Sequence, residues 1–261
     1  MNIIKILPII ISLIALVVSC FSFRYNKNRG KVEKAIDLAK TYKDLIKDIS
    51  EFTRVFEAHK NIHELIFKAK IDENTNFTYD DLSNYYTPTE LSELDNFFNK
   101  QGINADILRS VYLNTKVDGS DINPLFFPSS KENLDAIYTF NPNINESSYK
   151  NEADKIKVAK TIADIHLINY YHVRFVEFLN ALEYFSMAFV QNVADDDVVY
   201  QSLHQTFLGM VKYFYFLIVF RNRSSENKYY TNITDLYIKW LKKEQKQKNK
   251  INKISRYKKK C

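Results

Sequence analysis

Residues 175–190 read FVEFLNALEYFSMAFV. Apolar side chains here surround most of a helical circumference instead of forming one stripe, so a helix over this stretch is buried. A buried helix needs a shell of other elements, and the shell written around it is also helical. Outward from this stretch, neither glycine nor proline occurs between Asn143 and Leu208, and the spacing predicts one long helix over 152–192. "ADDD" at 194–197 ends it and caps the next helix, with carboxylates at the favourable end of the dipole. That helix runs to about Arg221 and contains FLGMVKYFYFLIVF (207–220). Its fourteen residues include Lys212. A membrane span needs ~20 apolar residues, so this length suits a core helix better. "SSEN" (224–227) makes a turn, and a last amphipathic helix follows with Tyr230, Ile233, Tyr237, Trp240 and Leu241 on one side.

The chain of 261 residues has only four glycines and five prolines, which fits an all-α protein better than a strand-rich one. Residues 31–70 read as one helix. Val32, Ala35, Ala39, Tyr42, Ile46, Ile49, Phe52, Phe56, Ile62 and Ile66 form a single stripe. It could pair with a second copy as a short coiled coil, but Phe and Tyr favour packing on the body. Residues 71–150 hold most of the prolines and break into short helices. "TPTELSELDNFF" starts one with Thr87 as N-cap, Pro88 in the first turn and Glu90 behind it. "NADILRSVYL" is a second, and "PSSKENLDAIYTF", capped by Ser129 or Ser130, a third.

The N-terminus carries an uncharged run from Ile6 to Phe23, eighteen residues. At ~1.5 Å per residue it spans roughly 27 Å, close to a ~30 Å hydrocarbon core. Val17-Val18-Ser19-Cys20 fits the pattern before a lipidated cysteine. Yet the run continues through Phe21 and Phe23, and Arg24, Lys27, Arg29, Lys31 and Lys34 follow it. A signal peptide carries its positive charge before the apolar region. Basic residues after the span keep that flank in the cytoplasm. The reading favoured is a single-pass anchor in the inner membrane, with Cys20 a small filler near the interface. The only other cysteine is Cys261, so no disulfide framework or cysteine zinc site is expected.

Charge is segregated. Residues 1–34 carry a net +5 and residues 239–261 a net +10, within a total of +6, which leaves the body at −9. The C-terminal segment holds Lys242, Lys243, Lys246, Lys248, Lys250, Lys253, Arg256, Tyr257, Lys258, Lys259 and Lys260. Such a cluster suits anionic lipid, at ~1 kcal/mol per cation near the surface. It suits single-stranded DNA or RNA equally, through salt-sensitive phosphate contacts, with Tyr257 and Trp240 as stacking platforms.

No metal cage, phosphate loop or nucleophile elbow is recognisable, and no cofactor is implied. His59 and His63 are four apart and form half of a zinc site. No third ligand follows, and helix packing explains them better. Arg54 and His59 match the R-x4-H spacing of HEPN-type ribonucleases, a match this composition produces by chance. Arg174, Glu177, Asn180 and Glu183 run at three-residue steps along the buried helix. Buried carboxylates need partners, and Arg221 and His204 are the candidates. Asn180, Glu183 and Arg221 are read as a buried polar cluster, with a small polar pocket around Glu183 as the functional alternative.

"LNALEYFS" (179–186), the acidic turn, the apolar helix ending in Arg221 and "YIKWLKK" (237–243) resemble an uncharacterised bacterial family of short, N-terminally anchored helical proteins. The likeness covers about residues 160–243 and the anchor. It places Asn180, Glu183 and Arg221 at that family's polar positions. In layout alone, the chain also resembles membrane-anchored phage abortive-infection proteins. The expected organisation is an anchor with its basic flank (1–30), a cytosolic helical bundle (31–241) and a basic, disordered tail (242–261). The expected function is non-enzymatic phage defence with sequence-independent nucleic-acid binding. A hydrolase or nuclease built on the body and a structural protein whose tail binds lipid are the alternatives, and a homo-oligomer is compatible with each.

Overall fold

The computed structural model describes residues 3–72, 74–100, 103–115, 122–127, 152–223 and 228–258. The helix expected at "PSSKENLDAIYTF", with Ser129 or Ser130 as cap, lies outside the described residues. The elements are α1 (Ile3–Ala58), α2 (Lys60–Lys68), α3 (Tyr79–Leu82), α4 (Pro88–Phe98), α5 (Ala105–Thr115), a 3₁₀ turn (Pro124–Phe126), α6 (Glu152–Val190), α7 (Asp196–Arg221) and α8 (Thr231–Lys258). No strand occurs among the described residues.

Four long helices, α1, α6, α7 and α8, form the body, and α1 and α8 each pack on both α6 and α7. Ring contacts give the directions. Tyr42 meets Phe185 and Phe52 meets Phe175, so α1 runs antiparallel to α6. Ile233 meets Glu183 and Trp240 meets Phe189, so α8 runs parallel to α6, while Trp240 meets Asp196 and Tyr229 meets Asn222, so it runs antiparallel to α7. The chain therefore runs up, down, up and down through the body. Phe52, Phe56, Phe175, Phe178 and Phe214 stack at its centre. Such aromatic pairs add to the stabilisation from burying the rings.

α7 is the core helix. Every residue from Phe214 to Phe220 is buried, because other helices cover it on all sides. Among the described residues searched, α7 alone has the length and apolarity to cross a membrane, and 61% of that window is buried inside the protein. The core-helix reading of 207–220 accounts for it.

The small helices cover the end of the body away from the N-terminus. α4 begins as its sequence predicts. Thr87 and Glu90 form a reciprocal capping box with Pro88 in the first turn. Asn104 caps α5 by accepting from the backbone of Asp106 and Ile107. Arg109 ties α5 to α6 through Asp164 and donates to the Phe126 carbonyl at 2.8 Å.

Three expectations change. The helix expected over 31–70 breaks at His59, which separates α1 from α2. Its ring donates from Nδ1 to the Val55 carbonyl and accepts the Asn104 N–H at Nε2. One side chain thus holds the bend and a loop 45 residues on. Second, residues 3–30 and 31–58 share one unbroken helix, since α1 runs from Ile3 to Ala58. Third, the tail is helical: α8 continues through 242–258 as one helix.

Trp240 is fully buried among Phe189, Tyr200 and Phe207. Trp240→Ala should lower unfolding stability by about 3–5 kcal/mol. Exposed Ile251→Ala should change it by less than ~0.5 kcal/mol. Urea unfolding of the full chain in detergent, followed by circular dichroism, measures both.

Candidate functional site at the cationic end of the bundle

The turn between α6 and α7 is where both basic segments meet the body. α6 ends on Asn192, at φ 56°, a left-handed position that asparagine tolerates. The N–H groups of Val193 and Ala194 return to the Ala188 carbonyl. Asp195 then caps α7, its carboxylate accepting the Asp197 N–H at 3.0 Å.

α1 crosses this turn at Lys31. The Lys31 carbonyl accepts the Asp195 N–H at 3.2 Å, and its ammonium donates to Asn192 Oδ1 at 2.9 Å. α8 crosses the same turn at Lys239–Lys243. The Asp196 carboxylate accepts from Trp240 Nε1 at 3.1 Å and from Lys239 Nζ at 3.0 Å, with Lys243 Nζ at 3.8 Å. Lys243 also bonds Asp197 and lies 4.1 Å from the Tyr200 ring centroid. That bond holds the Asp197 carboxyl below its ordinary range. The N-terminal part of α1 and the C-terminal part of α8 consequently leave the body at one end. From Leu16 to Gly30 every described side chain is exposed, including Leu16, Val18, Phe21 and Phe23.

The tail cations fall into two groups. Lys243 and Lys248 are engaged, the latter with Glu244 at 2.8 Å. Lys242, Lys246 and Lys250 are exposed and make no ion pair among the described residues. Lys253, Arg256, Tyr257 and Lys258 continue the helix, while Lys259 and Lys260 lie outside the described residues. Trp240 cannot stack on a base as expected, because its ring is sealed in the core.

The expected buried polar cluster does not form. Asn180 and Arg221 are exposed, and only Glu183 is half-buried. Its carboxylate caps α8, accepting from the backbone N–H groups of Asn232 and Ile233 at 3.1 and 2.9 Å and from Asn232 Nδ2 at 2.7 Å. These are the orphan donors every helix start must satisfy, and they also sit at the positive end of the dipole. The partner of Glu183 is therefore backbone, neither Arg221 nor His204. His204 bonds its own helix at the Tyr200 carbonyl. Arg174 lies 3.7 Å from Glu51, and Glu177 is exposed. Among the described residues no group of three His, Cys, Asp or Glu side chains could hold a metal ion. Arg54 and His59 do not form a pair: Arg54 donates to the Asn114 carbonyl, and both ring nitrogens of His59 are occupied.

Compared with family models, curated proteins and solved structures, the chain matches none.

Glu183→Ala leaves the start of α8 uncapped and should cost about 1–3 kcal/mol. Glu183→Gln keeps acceptor oxygen in place and should cost less. Urea unfolding of the three chains gives the ranking, and equal stabilities would argue against the capping role.

Proposed function

We propose that the protein is a single-pass membrane protein whose C-terminal helix acts as a cationic arm, held beside the anchor against the phosphates of the inner leaflet. The observation that carries this reading is the shared exit of α1 and α8 at the α6–α7 turn. The uncovered apolar stretch after Leu16 supports residues 6–23 as the anchor. From Lys31 back to Phe23 is ~12 Å of helix, whereas the arm from Lys243 to Lys258 is ~22 Å long. An arm that long cannot run alongside the anchor without carrying cations into hydrocarbon, which is costly. Lying along the headgroup layer avoids that cost and brings Lys246 and Lys250 to the surface, each contributing ~1 kcal/mol on an anionic leaflet.

A binding role suits the chain better than a hydrolytic one, because the polar groups expected to do chemistry serve the fold. Glu183 caps a helix and His59 holds a bend. Single-stranded nucleic acid is the second reading, favoured by the same exposed lysines, although burial of Trp240 removes one of its two stacking platforms. Non-enzymatic phage defence at the membrane fits this layout, with the arm as its polyanion-sensing part.

Two experiments follow. A nitroxide at Ile251→Cys, with Cys20 and Cys261 replaced by Ser, should become accessible to lipid-soluble oxygen in nanodiscs containing anionic lipid. It should return to water in neutral discs or high salt. A shift produced by single-stranded oligonucleotide, with none from lipid, selects the second reading, and no shift with either refutes both. Charge reversal at Lys246 and Lys250 should abolish protection in a phage plating assay at unchanged protein level. Full protection by that variant would separate the arm from any defence role.

A further inference from the structure

At the far end of the body, ~38 Å of helix from Asp196, α7 ends in a second cationic feature. A cleft of about 310 Å³ opens between α6, the end of α7 and the start of α8. That volume lies near the lower bound for small-molecule sites, ~300–1,000 Å³. Arg221 and Arg223 line it, Val176 and Phe220 contribute apolar surface, and Tyr229 and Tyr230 form a wall.

The cleft's charge is unbalanced. Neither arginine makes an ion pair among the described residues. Arg221 donates to His172 Nε2 at 3.4 Å, a contact from cation to imidazole lone pair. Arg223 stacks its guanidinium 4.5 Å from the Phe220 ring centroid. That leaves the edge of the fork, where its N–H donors point, unused. Lys100, bonded to Asn169 at 2.8 Å, adds positive charge near His172. Burial, Lys100 and Arg221 together hold the His172 imidazole below its ordinary range. The Glu183 carboxylate, close enough to act on the Tyr230 phenol, is committed to the start of α8. A helix C-terminus attracts one basic residue, which accounts for Arg221. It does not account for a second arginine beyond the helix that meets no acid among the described residues.

The wall is built to keep its position. The Asn222 side chain donates to the Tyr229 carbonyl and accepts the Tyr229 N–H. Tyr230 is then held at φ 61°. This conformation disfavours a residue with a Cβ, so the surrounding contacts must hold it. Lys100, next to the lining residue Asn99, is also left-handed, at φ 74°.

We propose that this cleft binds a small organic phosphate, of the class of a nucleoside monophosphate, with its phosphate between the Arg221 and Arg223 forks and its planar part on Tyr229 and Tyr230. Two guanidiniums supply parallel charge-assisted bonds to phosphate oxygens, the geometry arginine serves best. Adjacent tyrosine faces supply stacking area. The dianion would also neutralise the cations that suppress His172, so binding should raise the pKa of that imidazole. This inference is independent of the membrane arm.

The test uses the full chain in zwitterionic micelles with isotope-labelled histidine, the His172 signal being assigned through His172→Gln. Adenosine monophosphate, ribose 5-phosphate, inorganic phosphate and adenosine are the probes, in a Lys246→Gln/Lys250→Gln background that reduces binding by the arm. Saturable binding of the nucleotide is expected, with His172 titrating at higher pH, weaker binding of ribose 5-phosphate, and none of adenosine. Arg221→Gln and Arg223→Gln should each weaken the nucleotide at least tenfold without lowering the melting temperature, since both side chains are exposed. Three results would overturn the proposal: no saturable shift with any probe at millimolar concentration, affinity unchanged in the double arginine variant, or inorganic phosphate binding as tightly as the nucleotide.

Discussion

The Asp196 carboxylate faces three donors of one helix: the Trp240 indole, Lys239 and Lys243. It stands in the first turn of the most buried helix of the protein, where negative charge also meets the positive end of the dipole. The contact fixes how far α8 slides along α7, and with it the point at which the cationic arm leaves the body. Because Lys31 binds Asn192 and Asp195 just before Asp196, one short stretch, Asn192–Asp197, sets the exit of both basic helices.

The position of α7 follows from elementary constraints. A helix apolar around its circumference has no stable place on an aqueous surface, so neighbouring helices must cover it. The aromatic residues let the faces fit closely: Phe214 touches Phe52, Phe56, Phe175 and Phe178 from two helices. Polar groups are settled at the ends of helices. Glu183 closes the start of α8, Asp195 that of α7, and Thr87 with Glu90 that of α4. From Leu16 to Gly30 no described side chain of α1 has comparable cover. That contrast between a sheathed apolar helix and a bare one is what supports the proposed anchor in α1.

Much of the architecture is legible in the residues themselves. The scarcity of glycine and proline and the three-and-four periodicity point to helices, and the long helix expected over 152–192 is Glu152–Val190. The Thr87-Pro88-Glu90 start is a local pattern and forms as written. The failures share a physical cause, contact with something distant or with backbone. The break at His59 depends on Asn104, which no local pattern announces. Glu183 looked as though it needed a charged partner, but its partners are N–H groups, which leave no mark in a sequence. Trp240 stands on the apolar side of its helix, as the periodicity indicates, but its second reading as a stacking platform beside the lysines fails because Phe189 and Phe207 enclose it. Arg223 and the tyrosine wall lay outside the polar positions the sequence singled out, because the cleft exists only once α6, α7 and α8 are assembled.

The central claim is that the anchor and the arm leave the body on the same side. Cys20 is exposed and free, and Ile251 is exposed on the arm. Spin labels at Cys20 and Ile251→Cys, with Cys261→Ser, allow the separation to be measured by pulsed dipolar spectroscopy in nanodiscs. Helix rise puts Cys20 ~16 Å and Ile251 ~12 Å beyond the shared turn, which predicts one distance of less than roughly 35 Å. A distribution centred beyond roughly 50 Å would put the two segments at opposite ends of the bundle and contradict the account.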